Sequence, residues 1–223
     1  MTTLFLIRHG LTAQTGKVLY GRTPGIGLDD RGRAQAEHLA ARLAPVRPTA
    51  SYSSPLERCV ETVAPLAARC RLPIVTREEL IEMDAGDWTG RPLGRLRRTR
   101  AWREVQRSPS TFAFPGGGEG FAAARDRAVA EVERIARRHR RGRVAIATHG
   151  DIARIVLAHF QGIDLDRFQH VVVDTGSVSV VHLDGGVPHV LLLNDTGGLE
   201  RFAADPAPPW EAARRATPTD VRG

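Results

Sequence analysis

The 223-residue chain predicts an α/β fold around a mostly parallel sheet. Two observations carry that expectation. The apolar run Leu4-Phe5-Leu6-Ile7 delivers Arg8-His9-Gly10 into a loop, and a second run, Val144-Ala145-Ile146-Ala147-Thr148, delivers His149-Gly150. Short apolar runs that stop at a glycine read as buried strands. Segments with helical spacing separate them, and strands separated by helices usually pair in parallel, which turns both imidazoles toward one crevice. Ligands collect at the carboxyl edge of such sheets.

The elements follow in order. Leu28-Asp29-Asp30-Arg31-Gly32 leads into a helix with Ala34, Leu39, Ala40 and Leu43 on one side and an aspartate placed to cap it, ended by Pro45 and Pro48. Ala50-Ser51-Tyr52-Ser53 reads as a short strand, and Ser54-Pro55 opens a helix with proline in its first turn and Leu56, Cys59, Val60, Val63 and Leu66 inward. Leu72-Pro73-Ile74-Val75 is a third strand, and residues 82–90 have the look of an exposed functional loop. Residues 91–120 have little regular pattern beyond a helix near 95–106 and a loose glycine turn at 116–118, and an insertion of this kind suits a substrate lid. A long helix carries Phe121, Ala124, Ala128, Val132 and Ile135 inward, and the helix after His149 carries Ile152, Ile155, Val156 and Phe160. Residues 177–183 and 187–193, split by Asp184-Gly185-Gly186, form a hairpin. One domain over residues 1–202 and a disordered tail over 203–223 complete the expectation.

Composition narrows the function. An apolar share of 42% supports one packed core. No run approaches the roughly 20 apolar residues of a membrane-spanning helix, and no targeting signal is seen, so a cytoplasmic protein without membrane partners is expected. Cys59 and Cys70 lack metal spacing and are too few for a disulfide framework. Of 32 basic residues only Lys17 is lysine, and the net charge is +7. Nucleic acid is nevertheless not the expected partner, because the arginines are dispersed over helices and no basic-aromatic run appears. The cluster Arg95 to Arg100 is the one stretch that suits an anionic partner.

Three phosphate motifs fail on spacing or context. Five residues separate Gly10 from Gly16 where a P-loop has four, and Val18 stands in place of its hydroxyl. Six residues after the cysteines stand Pro65 and Thr76, so a cysteine-phosphatase loop is absent. Gly116-Gly117-Gly118 follows no strand. Arg8-His9, by contrast, pairs a cationic fork with an imidazole, and Arg58 lies in the first turn of a helix that follows a strand.

Arg8-His9-Gly10, Gly21-Arg22, Leu28 to Ala36, Ser54-Pro55-Leu56-Glu57-Arg58, Leu80-Ile81-Glu82 with Gly86-Asp87-Trp88, Pro115-Gly116-Gly117, His149-Gly150 and Leu193-Asn194-Asp195-Thr196 stand in the order seen in a known family. Together they resemble the histidine phosphatase superfamily, the phosphoglycerate-mutase-like fold, over about residues 3–198, and within it an actinobacterial subgroup labelled phosphomutases.

The resemblance implies a three-layer α/β/α sandwich with a small lid insertion over 91–120. It further implies His9 as the nucleophile that forms phosphohistidine, Arg8, Arg58 and His149 around the phosphoryl oxygens, and Glu82 as general acid and base, with Asp84 the runner-up. Thr15 and Arg22 are expected among the substrate-binding residues, and no metal or other cofactor is required. The family's asparagine is Thr15 here, Thr89 replaces a glutamate, and the added Gly118 and Gly120 leave the role of Glu119 open. The expected function is a metal-independent phosphomonoesterase for a small phosphorylated metabolite. A phosphomutase on the same site and a non-catalytic phospho-ligand module are the alternatives.

Overall fold

A computed structural model describes residues 1–197 of the chain, and the expected tail at 203–223 lies outside the described residues. In chain order the elements are β1 (Thr2–Arg8), β2 (Val18–Leu19), α1 (Asp30–Leu43), β3 (Ala50–Ser53), α2 (Glu57–Cys70), β4 (Ile74–Thr76), β5 (Arg91–Pro92), α3 (Leu93–Leu96), α4 (Arg100–Arg107), α5 (Phe121–Arg138), β6 (Arg143–Thr148), α6 (Gly150–Phe160), β7 (Val178–Leu183) and β8 (His189–Asp195). The main sheet has the order β4-β3-β6-β1-β7-β8. β4, β3, β6 and β1 run parallel, while β7 and β8 join antiparallel as the expected hairpin.

Alternation along β1 builds two cores. Phe5 and Ile7 face α1 and α2 through Leu39, Leu43, Val63 and Leu66, whereas Leu4 and Leu6 share the opposite core with Val132 and Ile135 of α5 and Ile152 and Ile155 of α6. This is the three-layer arrangement, with the carboxyl ends of the parallel strands left to carry polar groups.

Local chemistry explains the ends. Asp29 caps α1 by accepting from the Gly32 amide at 2.8 Å. Ala34 is exposed and Ala36 takes its place inward, because the buried stripe runs through 36, 39, 40 and 43. α2 starts at Glu57 with Leu56 as its cap, so Pro55 stands before the helix, not in its first turn; Arg58 is in that turn. Strand β4 begins at Ile74, since Pro73 offers no amide to a ladder.

The 82–90 segment is not simply exposed: Met83, Ala85 and Trp88 are buried. The glycine turn at 116–118 is not loose either. Asp87 donates its amide to the Pro115 carbonyl at 2.9 Å, Glu119 donates to the Asp84 carbonyl at 2.9 Å, and a Cβ at Gly86 would meet that Pro115 oxygen. These contacts clamp the turn onto the acid-bearing segment. Residues 91–120 carry more structure than their sequence suggested: β5 pairs with β2, and α3 and α4 pack Leu96 and Val105 into the core.

Candidate active site

Arg8 pairs with Thr148 in the β1–β6 register, so the next residues, His9 and His149, leave the sheet side by side. Their rings lie 5.4 Å apart at 65°. His9 donates from Nδ1 to the Gly10 carbonyl at 2.7 Å. A carbonyl can only accept, so the proton sits on Nδ1 and the lone pair on Nε2. Burial pushes the His9 pKa down to about 3, which keeps the ring neutral and nucleophilic.

Behind it, Arg58 and His149 are fully buried. Arg58 reaches from the first turn of α2, donates from Nη2 to the Gly21 carbonyl at 2.8 Å and from Nε to His149 Nδ1 at 3.3 Å, and lies 4.7 Å over the Tyr20 ring. His149 Nε2 therefore carries the proton and donates to Ser54 Oγ at 2.8 Å. Burial, with Arg58 beside it, holds the His149 pKa well below its usual value.

Arg8 donates from Nη1 to the Val173 carbonyl at 2.6 Å. Burial and Arg154 push its pKa down. The nitrogens Arg8 Nε, Arg58 Nη1 and Arg154 Nε are buried with no hydrogen-bond partner among the described residues. Unmatched buried donors on cations carry a large desolvation cost, and an anion is the group that offsets it. Both His-Gly glycines have a packing reason. A Cβ at Gly150 would stand 3.1 Å from Arg8 Nε, and one at Gly10 would stand 2.8 Å from the Gly32 carbonyl oxygen.

A cavity of about 450 Å³ opens on this cluster, lined by Arg8, His9, Thr15, Glu82, Asp151 and Arg154 among others. Glu82 accepts from the Met83 amide at 2.9 Å, and its pKa is pushed up to about 7 by burial and then by Asp151. A carboxyl poised there can give and take a proton near neutrality.

The model of the histidine phosphatase superfamily, branch 1, matches residues 4–196. The chain belongs to the histidine phosphatase superfamily. It is 30% identical over 210 residues to phosphoserine phosphatase 1 of Hydrogenobacter thermophilus, covering 91% of this chain and 96% of that one. It is 32% identical over 191 residues to a metal-independent phosphoserine phosphatase of Arabidopsis thaliana, covering 82% and 77%. Among solved structures, Bacillus stearothermophilus YhfR superposes with a TM-score of 0.81 at 32% identity, covering 87% of this chain and 98% of that one.

Within this histidine phosphatase the expected site residues separate into groups. Arg8, His9, Thr15 and Glu82 line the cavity, and Arg58 and His149 stand behind it. Thr15 Oγ1 lies 3.0 Å from the Thr12 hydroxyl and accepts from the Thr12 amide. Arg22, expected to touch substrate, does not line the cavity. It donates to the Glu82 carbonyl at 2.8 Å and to Glu119 at 3.1 Å, while Arg127 donates to Glu119 at 2.6 Å and to the same Glu82 carbonyl at 3.3 Å. Glu119 thus has a structural task, fastening the acid segment through two arginines. Asp84 is also outside the cavity lining and accepts from the Gly86 amide at 2.9 Å.

Sequence reasoning did not place Asp151 or Arg154 in the site. Arg154 does donate to Asp151 at 3.2 Å, yet both also line the cavity. Their one available signal was position near the start of the helix that follows His149, with Asp151 in its first turn and Arg154 three residues on.

Among the described residues no group of three or more His, Cys, Asp or Glu could hold a metal ion, and no helix is long and apolar enough to cross a membrane. Both cysteines are free, and burial pushes the Cys59 thiol up.

Proposed function

We propose that this chain is a metal-independent phosphomonoesterase that hydrolyses a small phosphorylated metabolite in the cytoplasm through phosphohistidine on His9. The observation that carries the reading is a single one: the Nδ1-tethered His9 lines the cavity, and Arg8, Arg58 and Arg154 each keep a buried guanidinium nitrogen without a partner among the described residues. The names of the two relatives as phosphoserine phosphatases support the same reaction class.

The lone pair of His9 Nε2 attacks phosphorus, forming the P–N bond as the ester P–O bond breaks. Glu82, protonated near neutrality, gives its proton to the departing oxygen. The resulting carboxylate then takes a proton from water, whose oxygen attacks phosphorus and breaks the P–N bond, releasing phosphate. Arg8, Arg58 and Arg154 stabilise the equatorial oxygens in both transition states, the task for which a metal would otherwise be used. His149 acts through Arg58 by holding its Nε. Arg22, Glu119 and Arg127 position Glu82 through its carbonyl. The 91–120 segment covers the pocket and sets which ester enters.

Phosphate release from a panel of phosphorylated metabolites, with a chelator present, tests the reading. Turnover of at least one ester that survives chelation is expected. Release seen only after adding Mg²⁺ or Zn²⁺, or none from any ester, would refute it.

A further inference from the structure

The cavity, of about 450 Å³, is larger than a phosphoryl group requires, and part of its lining has its own chemistry. Trp88 and Trp102 lie nearly parallel, with ring centroids 6.1 Å apart and planes 22° from each other. Trp88 cannot swing away, because Phe112 packs on it at 5.7 Å and Phe114 at 5.5 Å. Both tryptophans line the cavity; Trp88 is only 4% exposed and backs the half-buried Trp102, which supplies the aromatic surface. Trp102 comes from α4, on the segment expected from sequence to act as a lid.

One full positive charge joins that wall. Arg97, the cap residue of α3, lines the same cavity, is exposed, and has no carboxylate partner among the described residues. Its neighbours on the wall are Leu93, Val105 and the amide of Gln106. A short polar ester such as a phosphorylated amino acid would leave the half-buried Trp102 indole uncovered. A ring that ends in an anion would use both features.

We propose that the substrate is a phosphomonoester of an alcohol with a planar aromatic body and a distal carboxylate or similar anion, the ring seated on Trp102 with Trp88 behind it and the anion on Arg97. This rests on the phosphomonoesterase reading and adds the chemical class of its leaving group. A ring packed against aromatic side chains and a charge met by a guanidinium each contribute discrimination of about tenfold or more.

Alkyl esters keep leaving-group basicity nearly constant, so they isolate binding. Phosphate release is measured from 4-(2-phosphooxyethyl)benzoate, 2-phenylethyl phosphate, ethyl phosphate and phosphoserine. Expected kcat/KM rises about tenfold from ethyl to phenylethyl and about tenfold again to the benzoate. Trp102→Ala brings the phenylethyl-to-ethyl ratio toward one and Trp102→Phe restores most of it, while Arg97→Gln brings the benzoate-to-phenylethyl ratio toward one. Ratios near one in the wild type, or ratios untouched by these substitutions, would overturn the inference. Calorimetry with the matching alkylphosphonates separates the two readings. A ring and carboxylate preference in binding without turnover of any ester would remove the esterase and keep the pocket, whereas equal binding of all phosphonates would remove the pocket.

Discussion

Arg58 donates from Nε to Nδ1 of His149 at 3.3 Å, with both residues sealed from solvent. The bond fixes the His149 tautomer and orients the rest of the guanidinium: Nη2 is held by the Gly21 carbonyl, and Nη1 has no hydrogen-bond partner among the described residues. An ammonium carries its three donors on one nitrogen and cannot span the separated partners that the planar guanidinium fork reaches. Arg58→Lys is therefore expected to lower kcat/KM by about 10²-fold or more. A loss under tenfold in steady-state kinetics, with an unchanged melting temperature, would show that the fork geometry is not needed.

His9 is the only group proposed to bond to phosphorus. His9→Ala should abolish turnover, and rapid acid-free quenching of the wild type during turnover should trap a phosphoryl group that is acid-labile and alkali-stable. Undiminished turnover in the variant, or a trapped group stable to acid, would assign the nucleophile elsewhere.

Glu82 lines the cavity and Asp84 does not, which separates the two candidate acids. Glu82→Gln should slow alkyl phosphates by about 10²-fold or more and aryl phosphates, whose leaving oxygen needs little protonation, much less. Asp84→Asn should change both by under tenfold. The reverse order would move the acid to Asp84.

The pH profile has a sign. Glu82 must start protonated, and with its pKa at about 7 the value of kcat/KM should fall as pH rises through 7. His9, at about 3, places its own limb far on the acid side. Removing the neighbouring charge with Asp151→Asn should shift the alkaline limb to lower pH, because a like charge no longer holds the proton on Glu82. The linked stability runs the same way: a carboxyl raised from 4.5 to about 7 by folding makes the fold less stable as pH rises across that window, and Glu82→Gln should flatten the dependence. An alkaline limb that does not move in Asp151→Asn would break the coupling.

Hydrolysis is expected over phosphoryl transfer between positions of a sugar acid. A mutase must keep its phosphohistidine from water while an intermediate turns, which calls for polar anchors around it. Here Met83 and Ala85 present apolar walls to the cavity beside Glu82. The tight 116–118 turn removes a loose lid as a reason for water entry, so the case rests on those walls. With 3-phosphoglycerate and catalytic 2,3-bisphosphoglycerate, free phosphate should appear faster than 2-phosphoglycerate. The opposite order would refute hydrolysis.

The sequence by itself determined the layers and the pairing of the two His-Gly strands, because buried strands and one-sided helices write their period directly into neighbouring residues. Phe5 and Ile7 against Leu4 and Leu6 is that period in four letters, and the adjacency of His9 and His149 follows from it. Tertiary structure alone decided what the charged side chains do. Arg22 was read as a substrate contact, yet it pairs with Glu119, 97 residues away, and Glu82 rather than Asp84 lines the cavity, while the 115–119 turn grips the chain at the Asp84 carbonyl and the Asp87 amide. Trp88 meets Trp102, and the Asp151 charge helps raise the Glu82 pKa, in the same manner. Long side chains on loops have no periodicity to betray them; their direction is set by partners distant in sequence, and those meet only when the chain has packed.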